Sequence, residues 1–257
     1  MKNFFAALIL ISVAPALATI NNTNTSFDKN KIIHHLSILL QNKNKILKGS
    51  IFGENEILFF NPSNKENFVA ETNGKNSFTL RPMTTEELKH SIKVLDDDSL
   101  YSQLSFGKTR LVMTICKDCL LKKLKQLPRQ SQFENLSNEE WLAALSFHES
   151  THAFDQKNWN SIYEKYPREC RVKIQEGSAF LAEARSFSLL KFGNFQAVSD
   201  YIQLFQSVGD PLLTETYILP AIKFNDFETR TGRSYIDGLE KMEFNPCEKY
   251  AELKMSY

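Results

Sequence analysis

Residues 137–152 read Ser137-Asn138-Glu139-Glu140-Trp141-Leu142-Ala143-Ala144-Leu145-Ser146-Phe147-His148-Glu149-Ser150-Thr151-His152. Serine followed three residues later by glutamate is a capping box, in which each side chain satisfies a backbone N–H of the other residue. A helix is therefore expected to start at Ser137. Trp141, Leu142, Leu145, His148, Glu149 and His152 recur at three- and four-residue spacings, so the apolar stripe of that helix runs directly into its polar residues. The polar triplet should face the interior.

Downstream of this helix the pattern stays helical. A second helix is expected from about Val172 to Leu190, closed by Gly193, and a third from about Phe195 to Val208, closed by Gly209. Pro220 is expected to break the helical pattern beyond that point. Upstream, Ile32 to Leu40 fits a short helix. From Ile46 to Leu80, brief apolar runs such as Ile57-Leu58-Phe59-Phe60 alternate with Asn, Gly and Ser turn residues, the rhythm of short strands. Lys108 to Cys116 is rich in β-branched residues and reads as a further strand. The expected class is α+β, a small N-terminal β-containing part followed by a helical part. No repeat or Pro-rich linker divides residues 31–257, which read as a single domain.

The composition of the 257 residues, 42% hydrophobic and 24% charged, is that of an ordinary folded protein. Thirty-one basic residues against thirty acidic ones leave no net field to hold nucleic acid or an anionic bilayer. Short charge runs at Asp96, Asp97 and Asp98, and at Lys122, Lys123 and Lys125, read as solvated faces. Residues 1–18 have the form of a signal peptide. Lys2 precedes an apolar run from Phe4 to Val13, and Ala16-Leu17-Ala18 offers a small-x-small cleavage site. The run stops at Pro15, short of the roughly 20 residues that span a bilayer. Residues 19–30 then read as a flexible leader. The expectation is an exported product with no stable membrane anchor after cleavage near Ala18. Export favours disulfides among Cys116, Cys119, Cys170 and Cys247, with three connectivities open. The Cys116-x-x-Cys119 pair lacks the context of a redox site or of a four-ligand zinc cage.

The chemistry concentrates in His148-Glu149-Ser150-Thr151-His152. Histidines four apart on a helix share a face and can reach one cation. A catalytic zinc uses three protein ligands and keeps one position for water, whose pKa it lowers to about 7. Glu149, beside the first ligand, is placed to act as general base. These residues resemble the zincin metallopeptidases. One zincin branch continues with Gly three residues after the second His and a third His three residues further. Asp155 and Asn158 stand there instead, so the gluzincin branch, whose third ligand is a Glu on a following helix, is the closer match. Gln175-Glu176-Gly177-Ser178-Ala179 is similar to the context of that Glu in gluzincin aminopeptidases, which implies Glu176 as the third ligand. Gly177 and Ala179 would let the second helix approach the first closely. Glu183, seven residues on and near the same face, would either orient a ligand His or be the ligand itself.

The resemblance runs from Trp141 to Arg185. It departs from the thermolysin-like members at Phe180, where they carry an Asp. It implies one Zn2+, a peptide or protein substrate, and a stabiliser of the developing oxyanion for which Tyr201, Tyr217 and Arg185 are candidates. By the same analogy, the strand at Lys108 to Cys116 would border the cleft and pair with an extended peptide. No Gly-x-Met-Glu-Asn-like run is present to hold a substrate amine, so endopeptidase is favoured over aminopeptidase. The alternative is a non-catalytic exported binding protein that keeps a metallopeptidase-like fold or a structural zinc.

Overall fold

A computed structural model describes residues 28–47, 56–60, 67–72, 77–92, 102–106, 111–116, 137–206 and 211–247. The proposed signal segment, the Asp96–Asp98 and Lys122–Lys125 runs, Cys119 and Gly209 lie outside the described residues. Asp28 caps the first helix, α1 (Lys29–Gln41), by accepting from the N–H groups of Asn30 and Lys31. Lys29 and Asn30 therefore belong to this helix and not to the leader. Ile32, Leu36, Leu39 and Leu40 form its buried stripe at helical spacing. A short helix, α2 (Lys43–Leu47), follows.

Five strands form one mixed sheet: β1 (Glu56–Phe60), β2 (Phe68–Thr72), β3 (Phe78–Pro82), β4 (Ser102–Phe106) and β5 (Leu111–Cys116), in the order β3-β2-β1-β5-β4. β1 and β5 run parallel, and the other neighbouring pairs are antiparallel. A helix, α3 (Thr85–Ile92), lies between β3 and β4 in sequence. In β1, Ile57 and Phe59 alternate onto one buried face, and Phe59 pairs in register with Phe68 and Ile115, its ring stacked on that of Phe68 at 4.8 Å.

The remaining described elements are helical. They are α4 (Asn138–Asn158), α5 (Asn160–Tyr163), α6 (Arg168–Phe192), α7 (Val198–Gln206), α8 (Pro211–Leu213), a π-helical turn (Thr214–Ile218), α9 (Leu219–Thr231) and α10 (Tyr235–Glu240). Helices prevail over the small sheet, an α+β arrangement. The capping box at Ser137 is formed, with Ser137 Oγ accepting from Glu140 N at 3.2 Å and Glu140 accepting from Ser137 N at 2.7 Å. α6 begins four residues before the expected Val172 and ends at Gly193, whose φ of 71° is the left-handed turn that favours glycine.

Pro220 does not break the chain's helical course, contrary to the expectation from its sequence. The helical run continues from Pro211 through Thr231, with Pro220 in the first turn of α9, directly after the π turn. The first turn of a helix does not need the N–H that proline lacks, and the widened turn before it marks where the regular ladder is interrupted.

The core has two parts. The sheet face packs with α1 against Leu142, Ala143, Leu145 and Phe147 of α4. The second part gathers the helices from α5 to α10 around Phe180, Leu181, Ala184 and Phe187 of α6, with Ala144 of α4. Helices α4 and α6 contribute to both parts and lie against each other between them. The functional groups sit on this central pair. A disulfide joins Cys170, in the first turn of α6, to Cys247 after α10. The side chain of Cys116 is outside the described residues. No described helix is long and apolar enough to cross a membrane.

Candidate metal centre

Residues Leu142 to His152 of α4 are all buried, which puts hydroxyl groups where water cannot reach them. Ser146, Ser150 and Thr151 meet this by donating to the carbonyls of Leu142, Ser146 and Phe147 four residues back, at 2.8, 2.6 and 2.8 Å. The histidines are different. His148 and His152 stack edge to face, ring centroids 5.1 Å apart, with both imidazoles turned towards α6.

Glu176 and Glu183 lie two turns apart on α6, about 10 Å along its axis, and the structure gives them separate tasks. Glu176 Oε2 stands 3.4 Å from His152 Nε2 and 3.8 Å from His148 Nε2. Glu183 Oε2 instead takes the other nitrogen of His148, accepting from Nδ1 at 2.7 Å. That bond fixes the protonated nitrogen of the neutral ring at Nδ1 and leaves the Nε2 lone pair directed at Glu176 and His152.

Three atoms thus converge, His148 Nε2, His152 Nε2 and Glu176 Oε2, each fully buried and none with a hydrogen-bond partner. A buried polar atom without a partner costs about 1–3 kcal/mol, so three pointing at one place call for a common partner. Ligands about 2.0–2.2 Å from one tetrahedral ion stand roughly 3.3–3.6 Å from each other. The 3.4 and 3.8 Å separations come close to that spacing. His148, His152 and Glu176 each offer a ligand atom within 4.8 Å of the others, close enough to bind one metal ion. The donor set of two imidazoles and one carboxylate fits a divalent transition metal.

The electrostatics agree. Burial opposes charge on His148, but the carboxylates of Glu176, Glu183 and Glu149 outweigh it and lift its pKa to about 10. Burial likewise opposes ionisation of Glu176, yet His152 and His148 hold its pKa down at about 2. The pocket is therefore built for positive charge beside a carboxylate. Glu149 is buried and its charge acts on both imidazoles.

Several expected roles change. Gly177 does not serve the approach of α6 to α4. A Cβ at that position would lie 2.4 Å from Pro220 Cβ, 3.1 Å from Ala221 N and 3.2 Å from a Phe224 ring carbon, so the close approach it permits is that of α9. Tyr201 cannot stabilise an oxyanion, because it is fully buried and its hydroxyl donates to Glu183 Oε1 at 2.6 Å. Arg185 is committed to Glu228 and to the carbonyl of Ile46, which takes its guanidinium out of the oxyanion role. The strand β5 is internal, paired with β1 on one side and β4 on the other, and has no free edge for a peptide; among the described residues the edges are β3 and β4. Tyr217 does lie beside the site, its ring 6.5 Å from that of His148 and inclined by 29°, on the π-helical turn.

Asn158 is exposed at the end of α4 and bonds the Phe154 carbonyl. Asp155, one turn beyond His152 on the same face, is buried in a polar group that the sequence does not announce. Ser178 and Tyr235 share a 2.5 Å hydrogen bond, while Asp155 Oδ2 and Tyr163 Oη, also fully buried, have no hydrogen-bond partner. Burial raises the Asp155 pKa to about 7, against the smaller lowering pull of Tyr163, Ser178 and His152. The one signal in the sequence was position, three residues after His152 and hence on its face.

The chain matches no protein-family model, no curated protein and no solved structure.

Proposed function

We propose that this chain is a zinc-dependent hydrolase of peptide bonds, with His148, His152 and Glu176 holding the metal and Glu149 as general base. One observation carries the reading: three buried ligand atoms without hydrogen-bond partners converge within 4.8 Å of one another, close enough to share one ion. A set of two imidazoles and one carboxylate suits Zn2+ and leaves a coordination position for water or substrate, the pattern of a catalytic site and not of a closed structural one. When bound, the ion polarises the scissile carbonyl and makes a water acidic near neutral pH.

The side chains supply the rest. Glu149 follows the first ligand on the same helix, takes a proton from the attacking water and passes it to the leaving amine. Glu183 keeps His148 in the tautomer that presents Nε2. Tyr217, alone of the three oxyanion candidates, has its ring beside a ligand, 6.5 Å from that of His148, and its π-helical turn is a feature frequent at functional sites. The gluzincin resemblance of residues 141–185 points the same way. The disulfide fits an exported protein, since oxidising compartments preserve such bonds.

The test is metal content together with turnover. Purified protein should bind about one zinc per chain, cleave members of a mixed peptide library read by mass spectrometry, and lose that activity to a chelator. Glu149→Gln should keep the zinc and cut turnover by about 10²–10⁴-fold, and Tyr217→Phe should lower turnover with zinc retained. A chain that neither carries nor takes up zinc refutes the reading. Zinc bound at His148 and His152 with no cleavage by the unaltered protein would instead favour the non-catalytic binding protein.

A further inference from the structure

The hydroxyl of Tyr201 is out of keeping with its surroundings. The ring lies in an aromatic box, stacked on Phe187 at 4.6 Å, with Phe205 at 5.0 Å, Phe180 at 5.8 Å and Trp141 at 6.0 Å. Phenylalanine would fill that box equally well and would bring no polar atom into it. A phenol with no exposed surface is favourable only if its O–H finds a good acceptor. It finds one, Glu183 Oε1, at 2.6 Å.

Glu183 is thereby held at both oxygens: Oε1 accepts from Tyr201 on α7, and Oε2 accepts from His148 Nδ1 on α4. A carboxylate with one donor can pivot about its terminal torsion, which is broad and weakly restrained. With a strong donor on each oxygen, from two different helices, its plane is fixed. The plane of the carboxylate in turn decides where the His148 Nδ1–H points, and so where Nε2 faces.

We infer that Tyr201 is a positioning residue of the metal centre, acting through Glu183 to hold His148 Nε2 towards Glu176 and His152. The inference rests on the reading of His148 as a metal ligand and deepens it. The chain of contacts spans three helices, runs Tyr201, Glu183, His148, and ends on the ligand atom itself. Hydrogen bonds between charged and neutral groups in such a buried series strengthen one another, so loss of the outermost O–H should be felt at Nε2.

The experiment compares the full-length protein with Tyr201→Phe, Glu183→Gln and the double variant. Zinc affinity is measured by competition with a chromophoric chelator, and the ligand geometry by the visible absorption of the Co2+-substituted protein. Tyr201→Phe should bind zinc about 10-fold more weakly, the low end of the 10–100-fold typical for loss of an outer partner of a ligand histidine. Its Co2+ bands should shift. The double variant should bind no more weakly than Glu183→Gln alone, since the Tyr201 hydroxyl acts on His148 through that carboxylate. Phe187→Leu, which disturbs the same box without touching a hydroxyl, should lower the melting temperature and leave zinc affinity as it was.

Unchanged zinc affinity and an unchanged Co2+ spectrum in Tyr201→Phe overturn the inference, as do losses that multiply in the double variant. If Tyr201→Phe does not fold, 3-fluorotyrosine placed at position 201 alters the O–H without altering the packing, and an identical Co2+ spectrum in that protein refutes the role. Absence of zinc binding by the unaltered protein is a different result. It removes the metal reading itself, and this inference with it.

Discussion

Asp155 should make the protein less stable as pH rises from about 4 to about 7, and replacing it should abolish that loss. Its carboxyl is buried one turn beyond a proposed metal ligand, and its pKa rises from the usual 3.8 to about 7 because burial disfavours the charged form. For a carboxyl raised in this way the folded state binds the proton more tightly than the unfolded one, so the contribution to stability is fully present below about pH 4. It falls as pH climbs to about 7 and is flat above, where both states are ionised. The shift from 3.8 to about 7, at about 1.36 kcal/mol for each pKa step, corresponds to about 4 kcal/mol across that window. Asp155→Asn keeps the size and removes the titration. Urea unfolding of metal-free protein and variant, at intervals from pH 4 to pH 8, gives the difference in stability at each pH, in which all shared titrations cancel. The variant should gain on the wild type by up to about 4 kcal/mol between the ends of the window. A bound cation nearby would lower the folded-state pKa, so repeating the series with zinc should shrink the gain. A difference that stays constant from pH 4 to pH 8 would falsify the claim that Asp155 is held protonated by burial.

Two further outcomes rest on packing and on chain closure. Gly177→Ala forces a Cβ to within 2.4 Å of Pro220, which cannot yield without moving α9, so it should destabilise by at least the 1–3 kcal/mol of an overpacked core, seen as a lower melting temperature; a neutral result would place the α6–α9 contact elsewhere. Removing the Cys170–Cys247 bridge, which closes a loop with a sequence separation of 77, should cost up to about 4.5 kcal/mol by the loop-entropy rule, and non-reducing mass mapping that pairs either cysteine differently would contradict it.

The parts of the fold legible in sequence were those fixed by local chemistry. Ser137 and Glu140 announce a helix start because a capping box is complete within four residues, and Gly193 announces a stop for the same kind of reason. The pairing of His148 with His152 was also visible, since spacing on a helix fixes the face, but the same spacing puts Glu176 and Glu183 on one face and left the choice between them open. What spacing could not reveal is what lies across from that face. Gly177 signals a close approach, but the helix that approaches is α9, forty-odd residues away. The edge or interior status of β5 depends on β1 and β4, which its own residues do not encode. Pro220 obeys its local rule only in part, because a π turn upstream opens the helix ahead of it. Tyr201 looked like a reactive hydroxyl because a tyrosine's partner is decided by how α7 settles on α6.

The character of α6 argues for function over stability. From Glu176 to Leu189 every residue is buried, a position in which an ordinary helix would be apolar all round. Three charged residues nevertheless lie in that span. Arg185 is balanced by Glu228, and Glu183 by the two donors from His148 and Tyr201. Buried ion pairs of this kind are often no better than well-packed apolar substitutes, so stability alone gives them weak support. Glu176 goes further, because its Oε2 faces two imidazole nitrogens without bonding either. A proton can join one pair of these atoms but not all three. A cation can, and the arrangement then becomes the least costly one available to the residues that form it.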